Sequence, residues 1–456
     1  MKISWTCCPF LPFPYGERRM NTDSHCHSSL KKEMEESHIV SSLFQENSQS
    51  VLPTILAFLS NSDRACLMRV NRQTYDTVYE QVPYFSTFSF SRHAFPSSSP
   101  SCLCSLYPFV SRMKSLQTFE IRHLLPCHLR PIGQSLRSTC LEEFRCPSNQ
   151  LEDVGLLYFR NILIRNGKTL RVLQLSRNFL GREGIRLLSS FLPFLIHLEE
   201  LDLSHNKICE VSVPLLMDGL QPLKEMRALN LEQNQIGIRG ARRIGLWLNG
   251  SSKIETVNLT SNRLQPEGLY ECLASIRTPC ALRHFSISWN EVDREGLVSV
   301  LEGLHRRFPR LEYLDLSWNN IGNTFLTLET SHVSYPQEIS LRSLDLSWNF
   351  IGFANVECLC RPLMSMVHLE FLSLSWCQLG LPHIESLATS FCALKRLKRC
   401  ILSWNRLDLP CCEWLSESLY CANPKLEYLD LSWNAIECKN EVYDLFLLFL
   451  HLRLEL

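Results

Sequence analysis

Six of the nine tryptophans in this 456-residue chain share one setting, with a Ser before and an Asn or Cys after: Trp289, Trp318, Trp348, Trp376, Trp404 and Trp433. The residue that follows belongs to a longer series, Asn149, Asn178, Asn206, Asn234, Asn262, Asn290, Asn319, Asn349, Cys377, Asn405 and Asn434. Each closes the pattern L-x-x-L-x-L-x-x-N at intervals of 28 to 30 residues. An indole offers a π face and one N–H, and a carboxamide offers two donors and an acceptor. That is the chemistry of contact and hydrogen bonding, not of bond breaking. The signatures G-x-S-x-G, G-x-x-x-x-G-K-[ST] and H-E-x-x-H do not occur. The chain reads as a non-enzyme without a cofactor, and no C-x-x-C pair points to a metal.

The elements that must position these residues follow from spacing. Leu314 and Leu316 are two apart, so they share one face of a strand while Tyr313, Asp315 and Ser317 point to the other. The Asn that follows stands where the chain bends away and can bond backbone groups left without partners. Beyond the bend the apolar spacing becomes helical, as in Ile185, Leu188 and Leu192 or Leu297, Val300 and Leu304. Gly184, Gly240, Gly268 and Gly296 recur six residues past the Asn and are expected to let the helix start lie close to the next coil. One strand and one helix cannot bury their apolar sides alone, so a repeat held this tightly predicts a stacked solenoid. Stacking superposes equivalent positions, which predicts an Asn ladder and a row of indoles.

The pattern resembles the ribonuclease-inhibitor type of leucine-rich repeat over residues 141–456. The resemblance implies an α/β fold: a right-handed horseshoe with a parallel inner sheet, outer helices and a protein partner on the concave face. Leu116, Phe119 and Ile121, and before them Phe85, Phe88 and Phe90, keep the strand spacing, so residues 83–140 read as degenerate repeats. About thirteen strands then line an inner sheet of about 60 Å. Two extra residues between Asn319 and Asn349 predict a shortened helix or a loop, and Leu445 to Leu456 is expected to complete the last helix.

Two readings of the tryptophan row stay open: indoles stacked along the rim to stiffen the solenoid, or a strip that binds a partner. On the inner face, His284, Tyr313, Phe371 and Tyr428 are expected alongside Asp315, Asp345 and Asp430, with Glu200 and Asp202 earlier. Aromatics flanked by carboxylates suit a partner offering apolar anchors and basic groups.

The chain carries 46 basic and 46 acidic residues, hence a formal charge of zero, which argues against nucleic acid and anionic membrane as partners. Its densest basic runs, His305 to Arg310 and Lys395 to Arg399, are expected at helix ends. The 21 cysteines follow no paired spacing and many fall at core positions, including Cys146, Cys377 and Cys400. Reduced thiols and the cytosol or nucleus are expected. Residues 1–45 read as a disordered leader.

Ahead of the repeats, residues 46–82 read as a helical hairpin: Pro53 starts a helix with Ile55, Leu56 and Leu59 on one side, and a second helix carries Leu67 and Val70. The order of residues from Leu52-Pro53 onward resembles an F-box, although Thr54 stands where that family often has an acid. The resemblance implies that Leu52, Pro53, Ile55, Leu56 and Leu59 contact a Skp-type adaptor. The chain would then be the substrate-recognition subunit of a cullin-type ubiquitin ligase. The alternative is a repeat scaffold unrelated to ubiquitin whose hairpin only caps the first coil. Ran GTPase-activating proteins look similar across the repeats but end in an acidic tail.

Overall fold

The computed structural model describes residues 87–91, 110–136, 140–323, 338–353, 356–422, 426–447, 449 and 451–456. The leader, the hairpin and the adaptor residues Leu52, Pro53, Ile55, Leu56 and Leu59 lie outside them. So does Phe85.

Within the unit Tyr79–Leu456, each coil contributes one short strand to a single sheet whose spatial order is the chain order. The described residues hold fourteen strands, from β1 (Thr87–Ser91) and β2 (Thr118–Arg122) to β13 (Tyr428–Asp430) and β14 (Arg453–Glu455). Every pairing is parallel and none slips register: Leu201 lies beside Leu229, Phe285 beside Leu314, Leu344 beside Leu372 and Cys400 beside Leu429. Helices such as Glu152–Arg165, Arg182–Phe191, Gly237–Leu248 and Leu409–Ala422 form the second layer of this α/β horseshoe.

The core is a set of columns. Leu170, Leu198, Leu282 and Leu369 form one, Phe144, Leu173, Leu314 and Leu372 a second, and Leu175, Leu203, Leu316 and Leu402 a third; all are fully buried, as are Ile185 and Leu188 from the helical side. At roughly 1.5–3 kcal/mol per buried aliphatic side chain, burial between coils is the main driving force of the fold. The early units are coils too. β1 pairs with β2 in register, and the buried Phe119 stacks on Phe144 at 5.4 Å.

Three expectations need correction. The helix-start glycines pack on the preceding coil, not the next: a Cβ on Gly268 would lie 3.0 Å from the Ile238 backbone, and one on Gly240 would press on Val213. The run from Leu445 does not complete a helix, because Lys439–Leu445 ends there and Arg453–Glu455 adds a strand beside β13. Lys395 to Arg399 is no helix end, since Arg399 opens the strand Arg399–Ile401. In the long unit after Asn319 the helix is replaced at its start by a 3-10 turn, Ile321–Asn323, and the next unit has another at Ile351–Phe353; residues 324–337 lie outside the description.

The asparagine ladder locks the register. The Nδ2 group of Asn290 donates to the carbonyls of Leu259 in the preceding coil (2.8 Å) and Ser288 in its own (2.9 Å). Its Oδ1 accepts the N–H groups of Asn262 (2.9 Å) and Leu264 (3.3 Å), and its own N–H goes forward to Asn319 Oδ1 (2.9 Å). Asn178, Asn206, Asn319, Asn405 and Asn434 repeat the carboxamide's bonds to the preceding coil, and Asn178 and Asn405 repeat the forward N–H bond as well. Asn262 Oδ1 is left without a hydrogen-bond partner, which nothing in the surroundings explains.

Cys377 enters the ladder on different terms. Its thiol donates to Leu346 O at 3.2 Å and faces the N–H groups of Asn349 and Ile351, while burial pushes its pKa up to about 12. A neutral sulfur is the weaker acceptor.

Replacing Asn290 with Ala strands two buried N–H groups and two carbonyls, so chemical denaturation of Asn290→Ala is expected to show a loss of about 2–4 kcal/mol. Cys377→Asn restores the acceptor and is expected to raise the unfolding free energy by up to about 1 kcal/mol.

Candidate binding surface

The register turns each outward strand position into a lane along the sheet, with the indole row at its edge.

Along the edge where the strands end, the six tryptophans form one continuous stack. Successive ring centroids are 4.4, 3.9, 4.0, 4.6 and 4.5 Å apart, with interplanar angles of 11° to 16°. The row that the spacing predicted is therefore present, with its rings slightly closer than the roughly 4.8 Å strand spacing. Trp289 and Trp433 at its ends are 53% and 68% exposed, Trp404 is exposed as well, and Trp318, Trp348 and Trp376 are half-buried.

The spacing did not reveal the backbone beneath the stack. Every one of these residues is left-handed, with φ between 54° and 59°, as are Arg177, His205, Gln233 and Ser261 in the earlier coils. A side chain there costs on the order of 1–2 kcal/mol, and one offset stack returns about 0.5–1.5 kcal/mol. Stacking therefore offsets a strain that recurs in every coil. Next to the indoles runs a hydroxyl lane, with Ser375 and Ser403 hydroxyls 3.0 Å apart.

The carboxylates are less available than the sequence suggested. Asp315, Asp345 and Asp430 each accept, through Oδ1, the backbone N–H and the hydroxyl of the Ser two residues on, at 2.6 to 3.0 Å. Asp202 accepts the Ser204 N–H likewise, and Asn230 and Asn258 do the same job uncharged. These are caps of the turn that leaves the strand. Burial next to the Asp315 carboxylate raises the Asp345 pKa to about 6, with the Ser347 bonds working the other way. Glu200 and Asp202 are raised by burial as well.

The aromatic lane holds His284 and Tyr313 with centroids 6.0 Å apart, then Ser343, Phe371, Arg399, Tyr428 and Arg453. The Arg399 guanidinium lies over the rings of both Phe371 (5.5 Å) and Tyr428 (5.6 Å), and Arg453 covers Tyr428 from the other side at 5.7 Å. Tyr428 donates its hydroxyl to Glu455 at 2.8 Å; burial and that bond push its pKa up to about 12. Along this part of the lane the aromatics are thus interleaved with cations, while the expected carboxylates Asp315, Asp345 and Asp430 stand in the adjoining lane.

A fourth lane, before the strands, was missed. Reading one residue past the first leucine of each coil gives Glu142, Arg171, Glu199, Arg227, Glu255, Arg283, Glu312, Arg342, Glu370, Lys398 and Glu427, an unbroken alternation of sign. Each N–H from Arg171 on donates to the carbonyl of the member before it. The side chains pair too: Arg171 with Glu199, Arg283 with Glu312, Arg227 with Glu255 at 2.7 Å, and Glu370 with both Arg342 (2.5 Å) and Lys398 (2.7 Å). The Lys398 hydrogen bond lowers the Glu370 pKa, and Lys398 is raised in return. Like charges one strand spacing apart would repel by about 1 kcal/mol even in water, so the alternation removes a penalty and leaves the lane self-neutralised. The signal was legible down the columns, not along the chain.

Thirteen of the cysteines among the described residues are free thiols, with Cys146 and Cys400 fully buried and raised by desolvation, Cys400 to about 12. No group of His, Cys, Asp and Glu among the described residues could hold a metal, and no described helix is long and apolar enough to cross a membrane.

Sequence comparison with known proteins agrees with the coils. A family model described as "Leucine Rich repeat" matches residues 195–208, 250–271, 310–324 and 422–437. The chain is 31% identical to fibromodulin of Sus scrofa over 146 residues, 32% of this chain and 84% of that one. It is 26% identical to ribonuclease inhibitor of Sus scrofa over 286 residues, 55% of this chain and 62% of the inhibitor. With NACHT, LRR and PYD domains-containing protein 12 of Mus musculus it shares 26% identity over 260 residues, only 24% of that protein. Among solved structures, an internalin from Listeria monocytogenes aligns over 83% of this chain and 88% of its own at 12% identity, with a TM-score of 0.43. The chain belongs to the leucine-rich-repeat family. It spans less than two thirds of the ribonuclease inhibitor and about a quarter of the NACHT protein.

Removing one indole from the middle of the stack tests its role. Trp348→Ala breaks contacts at 3.9 and 4.0 Å and keeps the left-handed strain (φ 59°), whereas Trp348→Gly loses the same contacts but relieves it. Equilibrium unfolding is expected to show Gly as the milder change by about 1 kcal/mol, the reverse of the usual order.

Proposed function

We propose that the protein is a non-catalytic scaffold that holds a protein partner along its concave sheet. The observation that carries this is the lane from His284 to Arg453, where rings and guanidinium groups face outward from strands of fixed register. Tyr and Arg are the residues that dominate interface energetics, because they combine large area with directional bonding. A rigid sheet presents them at little entropic cost. The partner surface comprises His284, Tyr313, Phe371 and Tyr428, with Asp315, Asp345 and Asp430 shaping its floor. The indole row Trp289, Trp318, Trp348, Trp376, Trp404 and Trp433 forms its wall. Free and deeply buried thiols support residence in a reducing compartment, the cytosol or nucleus.

A finer reading rests on the sequence ahead of the coils. The order Leu52, Pro53, Ile55, Leu56 and Leu59 supports docking on a Skp-type adaptor, which would make the scaffold the substrate receptor of a ubiquitin ligase, acting by proximity.

A photo-crosslinking amino acid at Tyr313 or Phe371 in the full-length chain, expressed in its native cells, is expected to trap a discrete protein band, while the same probe at Arg242 on the helical side does not. No adduct from the sheet, or equal adducts from both sides, sinks the scaffold reading. Recovery of a Skp-type adaptor from the same cells, lost on changing Leu52 and Pro53 to Ala, decides the finer one.

A further inference from the structure

We propose that Arg399 is a preorganised anchor for a carboxylate on the partner, so that the C-terminal part of the sheet selects an acidic side chain flanked by an apolar one. This rests on the scaffold reading and adds the chemistry of the ligand.

Four observations converge. Arg399 is exposed, and its guanidinium is sandwiched between Phe371 and Tyr428 at 5.5 and 5.6 Å, which fixes the plane of the fork without using its N–H groups. Among the described residues it takes part in no ion pair and no side-chain hydrogen bond, whereas the neighbouring cations are committed: Lys398 to Glu370 at 2.7 Å and Arg453 to Glu455 at 2.7 Å. The outward residues of the adjoining lane are Ser373, Ile401 and Asp430, and Asp430 Oδ1 is held by Ser432. One unneutralised, oriented guanidinium therefore stands beside two aromatic rings and the half-buried Ile401.

A planar carboxylate matches the fork with two parallel hydrogen bonds, and the stacking has already removed much of the side-chain freedom that binding would otherwise cost. Monoanionic charge fits as well. A dianionic phosphate would meet Asp430 and Glu455 on the two following strands, with Arg399 the cation of this lane left unpaired among the described residues to offset them. The rings and Ile401 supply a dry border on which an apolar neighbour of the acid can pack. Bidentate geometry also distinguishes Arg from Lys at this position: an ammonium keeps the charge but neither the fork nor the stack.

The test uses the full-length protein and a displayed library of random linear peptides, followed by titration of synthetic versions of the enriched sequences. Enrichment of Asp or Glu next to Leu, Ile, Phe or Met is expected. Replacing that acid by its amide, or making Arg399→Ala or Arg399→Lys, should each weaken binding by about tenfold or more, with both variants still folded and melting cooperatively. A pool without acidic preference, failure of the library to bind, Arg399→Lys binding like the parent, or tighter Arg399-dependent binding of a phosphoserine peptide or an RNA oligonucleotide each overturns the proposal. If the sheet crosslinks persist in Arg399→Ala while the peptide result is negative, the scaffold stands and only the carboxylate anchor falls.

Discussion

A residue in one coil lies beside its counterpart in the next, and the structure rests on that parallel register. Short three-residue strands supply few ladder bonds of their own, so from Asn149 to Asn434 the register is held by the buried carboxamides that follow the strands, with Cys377 the exception among them. The Asn290 carboxamide donates to Leu259 behind and Ser288 beside and accepts two N–H groups from the coil behind, while its own backbone N–H is taken by the Asn319 carboxamide ahead. An amide that both donates and accepts can do this, and an aliphatic side chain cannot. With the bends pinned, apolar columns close the core and every outward position becomes a line.

Lines convert weak pairwise terms into a surface. An isolated exposed ion pair is worth little, but Glu370 between Arg342 and Lys398 sits in an alternating row in which no neighbour repels another. An isolated tryptophan in a left-handed turn is strained, yet Trp318 and Trp348 rest face to face at 3.9 Å. The two edges of the sheet are thus satisfied internally, one by charge and one by π contact. The lane between them keeps side chains with capacity to spare, Arg399 above all.

Much of this was legible in the sequence because a period of 28 to 30 residues states which side chains share a column. Leu314, Asn290 and the six indoles stand where spacing placed them. What escaped it was anything set by local backbone shape or by reading across coils. Alternation from Glu142 to Glu427 is invisible when residues are read one repeat at a time. Asp315 and Asp345 looked like free acids because the cap they form with Ser317 and Ser347 depends on how tightly the chain turns. Arg399 seemed part of a basic run at a helix end, since Lys395 to Arg399 is contiguous along the chain but divided in space between a connection and a strand.

Native-state hydrogen exchange at the ladder amides tests the register most directly. The backbone N–H groups of Asn149, Asn178, Asn290 and Asn405, each donated to the Oδ1 of the next Asn, are expected to exchange as slowly as the core strands, and that of Asn349, which faces the Cys377 thiol, distinctly faster. Exchange at all of these amides as fast as in exposed turns would mean that no carboxamide ladder joins the coils, and the surfaces built on it would lose their basis.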